Sequence, residues 1–292
     1  MKVAIYSRGG QTLQAQDLCS LLDLLEKAGI KAIVYKALKD QYAELASVEN
    51  VFVGASDLDE HVDALISLGG DGTLLDTVCL VRDKQIPVLG INYGRLGFLA
   101  SLGKENIEEA VLALQERTYV LDRRKLLHLD ASVPLFGKEP FALNEVVIHK
   151  REFSPMIKIH TYLNGEFLNT FWSDGLILST PTGSTGYSLS CSGPVVFPES
   201  ESFVITPIAP HNLNIRPIVI PNNNVISFEV EGRTDDFICT LDSRKEVVSK
   251  DVQLAVRKEA FSFNLVRLSE NNFLRTLREK LTWGFDTRNR RS

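Results

Sequence analysis

Patterned cysteine and long apolar runs are both missing from this chain of 292 residues. Its four cysteines stand far apart, without a Cys-x-x-Cys pair or a nearby histidine pair. A zinc site or a disulfide framework is therefore not expected, and the thiols should be reduced and buried. No apolar run is long enough to span a membrane, and the amino terminus lacks the long apolar stretch of a secretory signal. We expect a cytoplasmic protein that does not bind membranes.

An excess of positive charge is missing too. The formal net charge is −5, and charged residues make up 24% of the chain against 44% hydrophobic residues. This balance is typical of an ordinary globular protein and argues against a general nucleic-acid binder. No nucleic-acid partner is expected.

Three common nucleotide or hydrolase motifs are also absent. The sequence has no G-x-x-x-x-G-K-[ST], which excludes a P-loop enzyme, and no G-x-G-x-x-G, the fingerprint of hydride-transferring dehydrogenases. The absence of G-x-S-x-G counts against an α/β-hydrolase.

Apolar periodicity divides the chain into three parts. Residues 1–120 alternate strand and helix patterns, which predicts a Rossmann-like α/β domain with a parallel sheet and ligands at the carboxyl ends of its strands. Residues 121–267 show strand spacing, with a hairpin signal at Asn164-Gly165, and predict an all-β, sandwich-like domain. Residues 268–292 contain one amphipathic helix, expected to pack on the first domain, and a basic tail from Arg288 to Arg291.

The first motif of chemical interest is Gly69-Gly70-Asp71-Gly72-Thr73, between an apolar strand pattern and a helical one. Free N–H groups at a helix start favour an anion, and glycines let the main chain approach phosphate oxygens. A carboxylate there needs a reason: Asp71 either accepts a hydroxyl proton or holds Mg²⁺ that bridges to phosphates, and both indicate phosphoryl transfer. The alternative is that Asp71 only caps the helix.

A second polar loop runs from Ser179 to Ser188 after the apolar segment Leu176-Ile177-Leu178. Hydroxyl and main-chain N–H groups at such a turn suit phosphate, ribose or amide recognition. The alternative is an ordinary Ser/Thr turn.

Two acidic spots interrupt apolar strands, at Asn144-Glu145 and at Ser173-Asp174-Gly175. A buried, unpaired carboxylate costs several kcal/mol, so each needs a partner or a bound polar ligand, unless it faces water at a sheet edge. Ribose diols are natural partners of carboxylates.

These motifs, in this order, resemble the NAD kinase family, as does the segment Asn92-Tyr93-Gly94-Arg95-Leu96-Gly97-Phe98-Leu99. The resemblance extends over essentially the whole chain. It implies transfer of the γ-phosphoryl group of ATP to the 2′-hydroxyl of the adenosine ribose of NAD⁺, with Mg²⁺ or another divalent cation bound mainly through the ATP phosphates. It also implies a homodimer or homotetramer.

The same resemblance implies roles for individual residues. Asp71 would be the catalytic residue, while Gly69, Gly70, Gly72 and Thr73 would contact phosphates. NAD would be bound by Asp71, Gly72, Phe98, Asn144, Glu145, Asp174, Thr185, Gly186, Tyr187, Ser188 and Ser190. Many relatives carry alanine at the position of Gly186, and bacterial members often place polar or basic residues at those of Trp172 and Pro155, so family contacts are not carried over to the last two.

Two other functions would keep part of this pattern. A lipid or sugar-phosphate kinase shares the GGDGT turn, although the net charge of −5 offers a membrane little attraction. A non-catalytic dinucleotide sensor would keep the groove, but it would have no need of Asp71 as a base.

Overall fold

The computed structural model describes residues 1–10, 13–268 and 273–281. These residues form two compact units. The first unit contains Met1–Arg123 and the described residues from Asn264 onward, and the second contains Arg124–Phe263. No helix among the described residues has both the length and the apolar character needed to cross a membrane.

The first unit alternates strands and helices. In chain order it contains β1 (Lys2–Tyr6), α1 (Ala15–Lys27), β2 (Lys31–Tyr35), α2 (Lys36–Lys39), β3 (Val51–Phe52), β4 (Ala64–Leu68), α3 (Asp71–Val81), β5 (Val88–Asn92), β6 (Leu102–Gly103) and α4 (Ile107–Glu116). The stretch around Tyr42 and Leu45 contains only a three-residue 3₁₀ turn, Ala43–Leu45. One turn suffices there, because Leu45 reaches the core while the Tyr42 hydroxyl donates a hydrogen bond to the Leu13 carbonyl at 2.8 Å.

A parallel sheet forms the centre of this unit, in the strand order β5-β4-β1-β2-β3. Two of its inner strands, β1 and β4, pair in parallel with Ile5 opposite Ile66. β4 and β5 are buried along their whole length, as expected for strands covered on both faces. The predicted α/β fold with a parallel sheet is confirmed.

The second unit is built almost entirely of strands. In chain order it contains β7 (Val120–Ala131), β8 (Phe141–Ala142), β9 (Glu145–His149), β10 (Ile157–Leu163), β11 (Glu166–Ser173), β12 (Gly175–Ser179), the short helix α5 (Tyr187–Ser190), β13 (Ser202–Ile208), β14 (Ile218–Pro221), β15 (Ile226–Glu231), β16 (Asp236–Leu241), β17 (Arg244–Ser249) and β18 (Leu254–Arg267). β7 starts, and β18 ends, within the residues of the first unit.

Antiparallel pairing arranges these strands in two layers. One sheet has the order β14-β13-β12-β9-β16-β17, and β11-β10-β15-β18 form the other. Asn164 and Gly165 have φ angles of 51° and 83° and join β10 to β11, which confirms the predicted hairpin. A cluster of buried side chains that includes Phe171, Phe203 and Phe228 forms the core of this unit. The predicted all-β, sandwich-like fold is confirmed.

The C-terminal helix α6 (Phe273–Leu281) belongs to the first unit, as predicted. Its Leu277 side chain is buried, whereas Leu274 is exposed. The ring of Phe273 lies 6.4 Å from that of Phe98, centroid to centroid. The basic tail from Arg288 to Arg291 lies outside the described residues.

Candidate functional site

The GGDGT turn joins β4 to α3 at the carboxyl edge of the parallel sheet. Gly69 has a φ of +148° and donates its N–H to the Ile91 carbonyl at 2.9 Å, which ties the turn to β5. Gly70 is the N-cap residue of α3, and Asp71 is its first residue. The N–H group of Thr73 donates to the Gly70 carbonyl at 3.0 Å, so an anion at this helix start would meet the N–H groups of Asp71 and Gly72.

The Asp71 carboxylate is held by the loop that follows β5. Its Oδ2 atom accepts the N–H of Phe98 at 2.8 Å, and its Oδ1 atom accepts those of Leu99 at 3.1 Å and Ala100 at 2.9 Å. These bonds are directed away from the N–H groups of its own helix, so capping α3 is not the role that the geometry gives this side chain. A carboxylate can accept about four hydrogen bonds, and Asp71 retains acceptor capacity for one more donor.

Gly97 makes this arrangement possible. A Cβ atom at that position would lie 1.8 Å from Asp71 Oδ1 and 2.4 Å from its Cγ. The absence of a side chain at residue 97 thus lets the loop close around the carboxylate.

A cation that sequence reasoning missed lies beside the same turn. Arg8 is the second residue after β1, and its Nε and Nη2 atoms pair with the two carboxylate oxygens of Asp76 on α3. The Tyr6 hydroxyl donates to Asp76 Oδ2 at 2.9 Å. The remaining guanidinium nitrogen of Arg8, Nη1, lies 3.6 Å from the position that a Cβ atom added to Gly72 would occupy. The signal for this cation in the sequence was an arginine just after the first predicted strand.

In the second unit, the polar loop from Ser179 to Ser188 (the hydroxyl loop) packs against the Asn144-Glu145 segment. The Thr180 hydroxyl donates to the Leu143 carbonyl at 2.6 Å and accepts the N–H of Gly183 at 3.1 Å. A Cβ at Gly183 would lie 2.2 Å from the Asn144 carbonyl oxygen, so only glycine allows this close approach. The Asn144-Glu145 segment and the hydroxyl loop, which are distant in the sequence, are therefore in direct contact.

Many hydroxyl groups of this loop bond within the protein. The Thr185 hydroxyl donates to the Thr182 carbonyl at 3.2 Å, and that of Ser188 lies buried, 2.8 Å from the hydroxyl of Thr206. The side chain of Tyr187 and residue Ser190 are exposed. Several hydroxyls of the loop therefore stabilise the turn, whereas Tyr187 and Ser190 face outward.

Glu145 is a strongly perturbed acid of this region. Burial, and then the negative charge of Asp242, raise its pKa from 4.5 to about 8. Its Oε2 atom is buried without a hydrogen-bond partner among the described residues. A Cβ at Gly186 would lie 3.3 Å from that atom, so the loop leaves only a narrow space around it. A buried carboxyl oxygen without a partner is suited to a polar ligand.

Two partners of the predicted acids were not foreseen. Asp242, in the turn between β16 and β17, accepts the N–H groups of Leu143, Asn144 and Glu145 at 2.8, 2.7 and 3.1 Å. Lys150 pairs with Asp174, with 2.9 Å between Nζ and Oδ1. Asp174 thus has an internal counter-ion. Lys150 could have been suspected, because it directly follows β9, whereas nothing in the local sequence marks Asp242.

The predicted site residues fall into two groups, one in each unit. The first group is Gly69, Gly70, Asp71, Gly72, Thr73 and Phe98. The second group is Asn144, Glu145, Asp174, Thr185, Gly186, Tyr187, Ser188 and Ser190. Within the described part of the chain, no cluster of three or more His, Cys, Asp or Glu side chains is arranged to hold a metal ion.

Solved structures share this architecture. The structure is similar to that of a yeast NADH kinase complexed with NADH, with a TM-score of 0.87, 21% identity, and coverage of 98% of this chain and 88% of that one. It is also similar to an NAD kinase from Archaeoglobus fulgidus in complex with ATP, with a TM-score of 0.75, 24% identity, and coverage of 97% and 99%. At these identities the likeness concerns the fold.

Relatives at higher identity are also NAD kinases. The chain is 48% identical to the NAD kinase of Cytophaga hutchinsonii over 273 residues, which cover 92% of this chain and 93% of the relative. It is 43% identical to that of Flavobacterium psychrophilum, with coverage of 99% and 100%.

Family models match both halves of the chain. Residues 19–119 match the ATP-NAD kinase N-terminal domain, and residues 143–268 match the C-terminal domain. With the relatives above, these matches confirm the resemblance found in the sequence. The chain belongs to the NAD kinase family, whose members are phosphotransferases that act on a hydroxyl group of NAD.

Proposed function

We propose that Asp71 is the catalytic residue of a reaction that moves the γ-phosphoryl group of ATP to the 2′-hydroxyl of the adenosine ribose of NAD⁺, giving NADP⁺. The observation that carries this proposal is the Asp71 carboxylate, fixed by three main-chain N–H groups at the start of α3. Such a carboxylate keeps one direction in which it accepts a further hydrogen bond. The ribose 2′-hydroxyl is the donor that we assign to it.

Alignment is the main contribution that this geometry makes to catalysis. A loose phosphoryl-transfer transition state needs an in-line nucleophile and charge neutralisation more than it needs covalent help. Asp71 orients the hydroxyl group and accepts its proton as the new P–O bond forms. The ADP leaving group takes the electron pair of the bond that breaks.

Phosphate binding is proposed for Gly69, Gly70, Gly72 and Thr73. The first turn of α3 offers main-chain N–H groups and the positive end of the helix dipole. Mg²⁺ or another divalent cation would be held by the ATP phosphates, where it would supply neutralisation of their charge. The residues fit a cation held chiefly by the phosphates, because Asp71 already bonds to three N–H groups.

The second unit is proposed to bind NAD⁺. Asn144 and Glu145 would hold a ribose, Asp174 the nicotinamide or adenine end, and Thr185, Gly186, Tyr187, Ser188 and Ser190 the walls of the groove, with Phe98 near the adenine. The buried Oε2 atom of Glu145 supports the ribose role, because it lacks a partner among the described residues. The Ser188 hydroxyl bonds to the Thr206 hydroxyl within the protein. We therefore assign the main chain of Ser188, and not its hydroxyl group, as the contact with NAD⁺.

This assignment gives each part of the chain a task. Residues 1–120 carry the phosphate-binding turn, 121–267 bind NAD⁺, and 268–292 support the first unit. A homodimer or homotetramer is proposed as well, because the second unit exposes apolar side chains such as Phe167 and Trp172. Light scattering after size exclusion measures that state directly. The cytoplasmic location stays a prediction.

The decisive experiment measures NADP⁺ formation from NAD⁺, ATP and Mg²⁺ by the wild type and by Asp71→Asn. Asparagine keeps the shape and removes the base, so kcat should fall by about a hundredfold or more. Asp23→Asn, which changes an exposed aspartate on α1, is the matched control and should keep full activity. Near-normal turnover of Asp71→Asn would reject the catalytic assignment. NAD⁺ binding by the wild type without NADP⁺ formation would instead indicate a sensor.

A further inference from the structure

The turn between β16 and β17 reaches into the proposed NAD⁺ site. Leu241 pairs with Arg244, so Asp242 and Ser243 form the two-residue turn of this hairpin. Asp242 has a φ of 53°, a conformation that Asp and Asn tolerate better than most residues. Asp242 is half-buried, and its carboxylate bonds to main-chain N–H groups.

Both the side chain and the main chain of Asp242 form hydrogen bonds with the Asn144-Glu145 segment. Its carboxylate accepts three consecutive N–H groups, those of residues 143 to 145, at 2.7 to 3.1 Å. Its own N–H donates to the Glu145 carbonyl at 3.0 Å. On the other side, the Thr180 N–H donates to the Asn144 carbonyl at 2.9 Å. The segment is therefore held between the hairpin turn and the hydroxyl loop.

Arg244 forms hydrogen bonds with the residues that precede the Asn144-Glu145 segment. Its Nη1 atom donates to the Glu139 carbonyl at 2.6 Å, and its Nη2 atom donates to that of Phe141. The two ends of the turn thus fix the chain from residue 139 to residue 145. Rigid support of this kind holds a binding group at one position.

We propose that Asp242 is a positioning residue of the proposed NAD⁺ site, which fixes the 143–145 backbone through its hydrogen bonds and so holds the Glu145 carboxyl group in place. The proposal rests on the function proposed above, and it adds a residue and a protonation state to it. Asp242 touches neither substrate in this view. It acts through Glu145.

Electrostatics assign the charge to Asp242 and the proton to Glu145. Burial raises the pKa of Asp242, but its three N–H donors and the nearby Arg244 favour its ionised form. Glu145 has an oxygen without such donors among the described residues, and burial with the Asp242 charge raises its pKa. The negative charge of Asp242 disfavours ionisation of Glu145, so the pair carries one proton near neutral pH.

A neutral Glu145 has a clear advantage for this ligand. Its O–H group can donate to a ribose oxygen, and its carbonyl oxygen can accept from a ribose hydroxyl. A second buried negative charge would instead repel the pyrophosphate of NAD⁺. The other charged or titratable groups around Glu145 are Arg244 beside Asp242, Tyr187 and Cys191 at α5, and Asp174 with its partner Lys150.

The test is the pH profile of NAD⁺ affinity in the wild type, Asp242→Asn and Asp242→Gly. Asparagine and glycine both tolerate the positive φ, and both remove the negative charge. Wild-type affinity should hold through neutral pH and fall as Glu145 ionises. In both variants the midpoint of that fall should move to lower pH, and the KM for NAD⁺ at pH 7 should rise about ten- to a hundredfold, with a smaller change in kcat.

Controls separate this role from general stability. Asp235→Asn changes an aspartate of the same unit whose side chain is 93% exposed, and it should leave the profile unchanged. In a Glu145→Gln background, adding Asp242→Asn should move no midpoint, because the titrating group is gone. A merely structural loss would lower the active fraction without shifting the pH midpoint.

Each outcome of these measurements supports or overturns either the positioning role or the proposed function. An unmoved midpoint in folded Asp242→Asn, or failure of both Asp242 variants to fold where Asp235→Asn folds, overturns the positioning role. Wild-type protein that neither binds NAD⁺ nor forms NADP⁺ overturns the proposed function itself. The two failures are thus distinguishable in one set of measurements.

Discussion

At the scale of single residues, the space left by Gly97 is as important as the carboxylate of Asp71. A Cβ at residue 97 would overlap Asp71 Oδ1, at 1.8 Å, and the neighbouring N–H donors would have to move with the loop. Since an error of about 1 Å in a reacting group can cost a hundredfold in rate, we predict that Gly97→Ala lowers kcat by about that factor. Steady-state NADP⁺ formation measures it.

The same loop supplies the control. A Cβ at Gly94 would meet one atom, Asn92 Oδ1, at an ordinary distance of 3.6 Å. Gly94→Ala should therefore keep most of the activity, and both variants should remain folded by circular dichroism. Equal turnover of the two variants would show that the 98–100 loop does not set the position of Asp71.

Glu145 makes a prediction about stability and pH. Its native pKa of about 8 exceeds the ordinary 4.5, so the native state holds this proton more tightly than the unfolded state. Its contribution to stability is complete below pH 4.5 and is lost as the pH rises through about 8. At about 1.4 kcal/mol for each pKa unit, the loss is on the order of 5 kcal/mol.

Glu145→Gln should remove most of this pH dependence, because glutamine has the same shape and no proton to lose. Urea unfolding of both proteins between pH 5 and about 8.5 measures the difference, since the slope of stability against pH reports bound protons. Parallel curves for the two proteins would show that Glu145 titrates in its ordinary range.

Sequence reasoning reached the residues that stand within motifs. Asp71 and Glu145 were visible because each interrupts an apolar pattern or a glycine turn. Asp242 was not visible, because its three hydrogen bonds go to residues almost a hundred positions away and exist only in the folded chain. Local sequence carries no record of such a partner.

At the scale of elements, α6 tests how the chain end supports the first unit. Leu277 is 5% exposed and Leu274 is 41% exposed on the same helix. Truncating a buried leucine costs about 2 to 5 kcal/mol, whereas truncating an exposed one costs far less. We predict that Leu277→Ala lowers the free energy of unfolding by at least about 2 kcal/mol and Leu274→Ala by much less. Equal effects in chemical denaturation would mean that α6 does not pack as described.

Elements with strong local signals were predictable, and those set by packing were not. Asn164-Gly165 supplies the positive φ angles that a tight hairpin needs, so the β10–β11 turn could be found in the sequence. The stretch around Tyr42 has weak periodicity, and its short 3₁₀ turn is determined by where Leu45 and the Tyr42 hydroxyl find partners. Boundaries of that kind depend on the tertiary structure.

At the scale of the whole molecule, the change of period near residue 120 marked the passage from an α/β to a β-rich unit. Each unit has its own apolar core, which is why the two patterns could be separated in the sequence. The end of β18 was harder to place, because the strand continues past Phe263 into residues of the first unit without a turn residue to mark the passage.

Cys239 provides a probe of the second unit as a whole. Its side chain is fully buried on β16, and burial raises the pKa of its thiol to about 12, whereas the other three cysteines are partly accessible. Because the thiolate is the reactive form, we predict that iodoacetamide labels Cys239 only when this unit unfolds.

A ligand of the folded unit at 100 times its Kd stabilises it by about 2.7 kcal/mol. NAD⁺ at that concentration should therefore slow the labelling of Cys239 about a hundredfold, and mass spectrometry of the labelled peptides measures it. The partly accessible Cys79 of the first unit serves as the internal reference for reagent activity. Labelling of Cys239 that is fast, or that saturating NAD⁺ leaves unchanged, would contradict either its burial or the placement of NAD⁺ in this unit.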